Sequence, residues 1–155
     1  MSMRSDSEME GYEEAHRAFE TLAQAIVNPG AKLMRRLGDA VVEDIDRRFN
    51  TRGYGTWPEL KPATAKRKGN DFVLVETGAM RSSTIISSMG PTEVTVSVPY
   101  GGAKHDAKVP GYHQEGTSRM PERAITKETP QLDDALEKAA TLWLEDMIKA
   151  TQVSV

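Results

Sequence analysis

Residues 84–98 read TIISSMGPTEVTVSV. Val94, Val96 and Val98 fall on one side of the run, and Glu93, Thr95 and Ser97 on the other. That period of two predicts a half-buried strand over 92–98. The apolar and β-branched residues of 84–89 predict a second strand, and Gly90-Pro91 turns the chain between them. The two are expected to pair as an antiparallel hairpin.

Working outward, the period changes. Leu33, Leu37, Val41, Ile45 and Phe49 step by four, and Met34 and Val42 widen the stripe, predicting a helix over 31–49 with a charged side of Arg35, Arg36, Asp39, Glu43, Asp46 and Arg47. Before it, Met9, Tyr12, Ala15, Phe19, Leu22, Ala23 and Ile26 predict a further amphipathic helix, stopped at Asn28-Pro29-Gly30. Downstream, Thr129-Pro130 opens a last helix: proline suits the first helical position, Asp133 and Asp134 complement the helix dipole, and Leu132, Leu136, Ala139, Ala140, Trp143, Met147 and Ile148 form its apolar stripe. The fold expected is α+β: a small antiparallel β-sheet packed with two N-terminal helices and a C-terminal helix, with long loops. One domain is expected over 9–150, with a flexible acidic tail at 1–8 and a flexible end at 151–155.

Two loops stand out. Residues 50–71 hold three glycines and two prolines, with one helical turn expected near 63–68, and 99–110 hold Gly101-Gly102 and the charged run Lys104-His105-Asp106. Long loops in a compact domain are usually functional. Thr77 is placed to cap a short helix over 78–83, and 112–115 and 122–126 are read as short extended segments.

Composition narrows the function. The chain has 155 residues, no cysteine and a formal net charge of −3. Disulfides, thiolate zinc sites and thiol nucleophiles are therefore excluded, and the overall charge is not that of a nucleic-acid binder. No apolar run approaches the roughly 18 residues of a membrane helix. The N-terminus lacks a basic start and an apolar core, so folding in a cytoplasm is the expectation. His105 and His113, beside Asp106 and Glu115, are spaced by eight rather than the four of a helical metal site. Neither a Gly-x-Ser-x-Gly elbow nor a phosphate-binding loop is present. No catalytic residue, metal ligand or cofactor is assigned.

Lys61, Lys66, Arg67 and Lys68 form a basic patch with no acid among them, just after Tyr54 and Trp57. Basic residues beside aromatics can track a phosphate backbone, so a small nucleic-acid-binding module using 61–68 is one reading. The other is a subunit contact, with Trp57 and Tyr54 as anchors.

At these residues the chain resembles the bacteriophage virion morphogenesis proteins, the Mu G-like and related tail-completion (neck) proteins. The first matching piece is Phe49, Trp57, Leu60, Pro62, Thr64 and Lys68; the second is Leu74, Thr77, Gly78, Met80, Arg81 and Ser83; the third is Tyr112, His113, Gln114, Gly116, Pro121 and Arg123. The likeness spans roughly 45–150. Met80 stands where the family has leucine, Tyr112 directly precedes His113, and Ala124-Ile125 replace an aromatic.

The resemblance implies a structural virion protein, synthesised in the host bacterial cytoplasm, that catalyses no reaction. It implies a ring, six-fold by the family's habit, at the neck or the head-proximal end of a tail. Its partners would be the tail tube protein and the connector or stopper proteins, with genomic DNA passing through the lumen unread. The interface residues expected are Tyr54, Trp57, Leu60, Lys61, Lys66, Arg67, Lys68, Arg81, Tyr112, His113 and Arg123. Arg81 and Arg123 are each expected to hold a carboxylate, within the fold or across subunits. Pro58, Thr77, Gly78, Gly116 and Pro121 are expected to shape turns and caps. On this reading Trp57 is an anchor whose removal weakens ring formation and leaves the monomer folded.

Overall fold

The computed structural model describes residues 6–100 and 108–152, with side chains from 11 to 100 and from 108 to 151. The run Gly101-Gly102 and the cluster Lys104-His105-Asp106 lie outside the described residues, as do the ends 1–5 and 153–155. The elements in order are α1 (Asp6–Val27), α2 (Gly30–Thr51), α3 (Pro62–Lys68), α4 (Ala79–Ser82), β1 (Ile85–Met89), β2 (Val94–Ser97), α5 (Val109–Glu115) and α6 (Pro130–Gln152). The fold is α+β.

The hairpin forms as its period predicts. β1 and β2 pair antiparallel, Ile86 opposite Val96 and Met89 opposite Val94, with a bulge between Ile86 and Ser88. The bulge puts the extra residue at Ser87, whose hydroxyl meets that of Ser97 at 2.7 Å. Ile86 alone of β1 turns substantially inward. It meets α2 at Gly38, where a Cβ would stand 2.7 Å from the Ile86 side chain and 2.9 Å from that of Val94. Glycine at that position lets helix and sheet touch.

Helices α2 and α6 form the main layer and run antiparallel: the Arg36 guanidinium reaches Asp146 at 2.6 Å at one end, and Arg48 reaches Thr129 at 3.1 Å at the other. Thr129 Oγ1 also accepts the Leu132 N–H at 3.3 Å and so caps α6. α2 lies on the sheet, whereas α1 rests on α6. α1 begins at Asp6, inside the stretch expected as tail. Residues 112–115 belong to α5, not to an extended segment. Pro110 sits in its first turn and Gly116 ends it at φ +73°, the sequence pattern of a short helix. Residues 122–126 form no strand; backbone and side-chain hydrogen bonds to His113 and Gln114 hold them.

The core gathers Ile45 and Phe49 from α2, Trp57, Val73, Met80 and Ile125. Trp57 is therefore no surface anchor: it is 6 % exposed. Its ring meets Phe49 edge-on, with centroids 5.8 Å apart, and its indole N–H donates to the Ala124 carbonyl at 3.2 Å. The chain brings it there by an abrupt reversal after α2, in which Arg52, Gly53, Tyr54 and Gly55 all take positive φ. A Cβ on Gly53 would lie 2.4 Å from the Trp57 indole, so the position demands glycine on two counts.

Within the same reversal lies a buried polar cluster. Arg48 and Asp44 are 3 % and 4 % exposed and pair at 2.7 Å. The Tyr54 hydroxyl donates to the second Asp44 oxygen at 2.6 Å. Arg48 Nη2 also donates to the Lys127 carbonyl.

Trp57→Ala is expected to cost about 3–5 kcal/mol of stability in the isolated chain, read from its urea midpoint; a cost below about 1 kcal/mol would place the indole outside the core. Arg48→Ala, which strands a buried carboxylate, is expected to cost about 3–5 kcal/mol, and the double change Asp44→Leu with Arg48→Met to recover most of that loss.

Candidate functional site

The three sequence-distant pieces meet around one open cleft of about 360 Å³. Leu60, Thr64 and Lys68 line it from the first piece; Thr77, Gly78 and Met80 from the second; His113, Pro121 and Arg123 from the third.

Each wall has a local cause. α3 starts with Pro62 in its first turn and stops at Gly69 in the left-handed region. It lays about two turns of basic sequence on the surface, since none of its residues is buried. Gly78, at φ +79°, precedes α4 as its cap residue, and Thr77 Oγ1 accepts the Ala79 N–H at 3.3 Å. On the far wall Gly116 folds the chain so tightly that a Cβ there would meet the Glu122 nitrogen at 2.8 Å. That turn returns the backbone to α5, where the Arg123 N–H donates to the His113 carbonyl at 2.7 Å.

Several expected interface residues prove to be structural. Arg123 is buried and donates to the carbonyls of Pro58 at 2.9 Å and Glu59 at 3.0 Å. Among the described residues it holds no carboxylate; it ties the 119–123 turn to the loop that carries Trp57. Arg81 does hold one, as a fork on Asp46 of α2 at 2.5 and 2.8 Å, within the chain. Tyr54 is held by Asp44, and burial first, then that bonded carboxylate, raises its phenol above the ordinary value. Leu60 packs partly buried against the core. The hydrogen bonds that Arg81, Arg123 and Tyr54 make with described residues lie within the fold.

The remaining expected residues stay at the surface. Lys61, Lys66, Arg67 and Tyr112 are exposed, with Pro58 and Pro121 beside them. The side chains of Lys61, Lys66 and Arg67 make no ion pair or hydrogen bond with another described residue. Lys68 is half-buried and its ammonium donates to the Phe72 carbonyl at 2.7 Å. Arg119, which sequence reading passed over, joins them on the cleft wall; among the described residues Glu76 is the one acid in that lining against five Lys and Arg. Asp44, Arg48 and Gln114 were also passed over as organising residues. Gln114 takes the Thr126 N–H at 2.9 Å and so fixes the segment behind the cleft.

Electrostatically the cleft is cationic. Burial lowers the Lys68 ammonium below its ordinary value, with Arg67 and Arg123 adding to the effect and Glu76 opposing it. Burial likewise lowers the His113 imidazole, helped by the positive charge of Arg123 and Lys68. The cleft is thus built to receive negative charge beside apolar surface from Leu60, Leu74, Met80 and Met120. No group of three or more acidic or histidine side chains among the described residues could hold a metal ion, and no described helix is long and apolar enough to cross a membrane.

No protein-family model matches the chain, and no curated protein and no solved structure matches it either.

The depressed His113 fixes the sign of a pH effect. The unfolded chain takes up a proton near pH 6.5, where the folded chain does not, so the folded state loses stability as pH falls through that value. The urea midpoint is expected to drop between pH 7 and pH 5, and to drop less in His113→Asn. Equal slopes in the two proteins would show that His113 protonates freely in the fold.

Proposed function

We propose that this chain is a structural protein of a phage neck or tail end that closes into a ring around the DNA channel, six-fold on the family resemblance. The observation that carries this reading is the convergence of the three resembling pieces on one open cleft. A solvent-facing, unpartnered basic edge at Lys61, Lys66 and Arg67 suits protein contact. The sheet supports it too: among the described residues it has two strands, and Ile85 and Met89 of β1 are exposed. A bare edge with apolar side chains invites a strand or loop from a neighbour. Subunits that meet through two different patches close a ring when the rotation between them allows it.

In this mechanism the ring docks on the tail tube with one face and receives the connector proteins with the other. The work is done by complementary surfaces, without chemistry. DNA meets at most a cationic lining, because Trp57 and Tyr54, the aromatics that would stack on bases, are held by the fold.

Purified full-length chain, imaged by electron microscopy with its mass measured in parallel, is expected to show closed rings with a central channel. A chain that stays single while binding DNA with an affinity that falls steeply with salt would replace this reading with that of a nucleic-acid-binding module.

A further inference from the structure

Helix α1 carries an apolar face that the fold leaves bare. Tyr12, Phe19 and Ile26 are 68 %, 73 % and 63 % exposed. They recur every seven residues and so share one side of the helix. The contact with α6 uses another side: the half-buried residues of α1 are Ala18, Leu22 and Ala25, and Ala18 and Thr21 share a pocket lining with Met147 and Ala150.

The charge on α1 narrows what covers that face. Its sequence holds six acids, Asp6, Glu8, Glu10, Glu13, Glu14 and Glu20, against the single base Arg17. Two copies of α1 laid together would set like charges side by side, and an anionic lipid surface would repel the helix. The complementary surface is on this same chain: the cationic cleft, with Lys61 and Arg67 on its rim, Lys66 beside them and an apolar floor.

Within one molecule α1 packs on α6, and none of the described residues that line the cleft belongs to α1. α1 joins the N-terminal end of α2 and rests on the last turns of α6. The cleft lies off the other end of α2, where Phe49, Trp57 and Met80 pack together. α2, with 22 residues, is roughly 33 Å long and runs between the α1 junction and that end.

We infer that α1 of one copy docks on the basic cleft of the next, Phe19 and Tyr12 packing over its apolar floor and Glu13 and Glu20 facing Lys66 and Arg67. The contact is head-to-tail between two unlike patches, the kind that generates a ring or a filament. It rests on the ring proposed above and names the surfaces that make it.

The test is a charge swap in the full chain. One variant carries Glu13→Lys, Glu14→Lys and Glu20→Lys; the other carries Lys61→Glu, Lys66→Glu and Arg67→Glu. All six positions are exposed, and circular dichroism checks that both variants fold. Each alone is expected to associate more than about a hundredfold more weakly than the wild-type chain in low salt. An equimolar mixture is expected to assemble again, because the altered α1 fits the altered cleft and the two native surfaces fit each other.

Wild-type rings that persist in both variants would overturn this contact while leaving the ring reading intact. A wild-type chain that never assembles would overturn both. Loss of assembly in Phe19→Ser but not in the cleft variant would show that α1 pairs with another partner, and would also overturn the contact.

Discussion

The buried pair of Asp44 and Arg48 organises the molecule around it. One carboxylate and one guanidinium, almost wholly removed from water, survive there only because each finds more than the other. Asp44 takes the Tyr54 hydroxyl, and Arg48 reaches Lys127 and Thr129. The cluster thereby joins three parts of the chain: the end of α2, the reversal after it and the entry to α6. An apolar cluster would pack in several ways, whereas these donors and acceptors match in one geometry. The left-handed run at 52–55, unfavourable for Arg52 and Tyr54 taken alone, is held by this bonding and by the Trp57 ring beneath it.

The cleft follows from that arrangement. Trp57 enters the core, its neighbours Pro58 and Glu59 offer their carbonyls to Arg123, and Arg123 in turn fixes the 119–123 wall. Basic residues divide into two populations. Arg48, Arg81 and Arg123 have their donors used within the fold, while Lys61, Lys66 and Arg67 keep theirs for solvent or a partner. Composition alone cannot separate the two, because the difference lies in which carbonyls and carboxylates the fold brings within reach.

The elements that depend on local pattern were legible. The hairpin showed its period of two, α2 and α6 their stripes, and Thr129-Pro130 the start of α6. Thr77 also acts near its expected place. Trp57 was not legible, since a tryptophan amid glycine and proline looks the same whether its partner is a neighbouring subunit or Ala124, far along the chain. The polar cluster left a trace that could have been read: Met34, Leu37, Val41, Asp44 and Arg48 step by three and four, so two charges stand inside the apolar stripe of α2. The α1 stripe misled in the opposite direction, because periodicity reports an apolar face and not whether the same molecule covers it.

The packed pair of α2 and α6 sets the α1 junction and the cleft at opposite ends of one helix, and a helix couples distance to direction. Each residue inserted into α2 would lengthen it by about 1.5 Å and swing the α1 junction by roughly 100° about the axis. Small insertions or deletions would therefore aim α1 away from any surface it matches now. About seven residues, close to two full turns, would bring the junction back to the same side. Length in this helix is thus a phase as much as a spacing, and related chains of different α2 length would be expected to differ in near-whole turns.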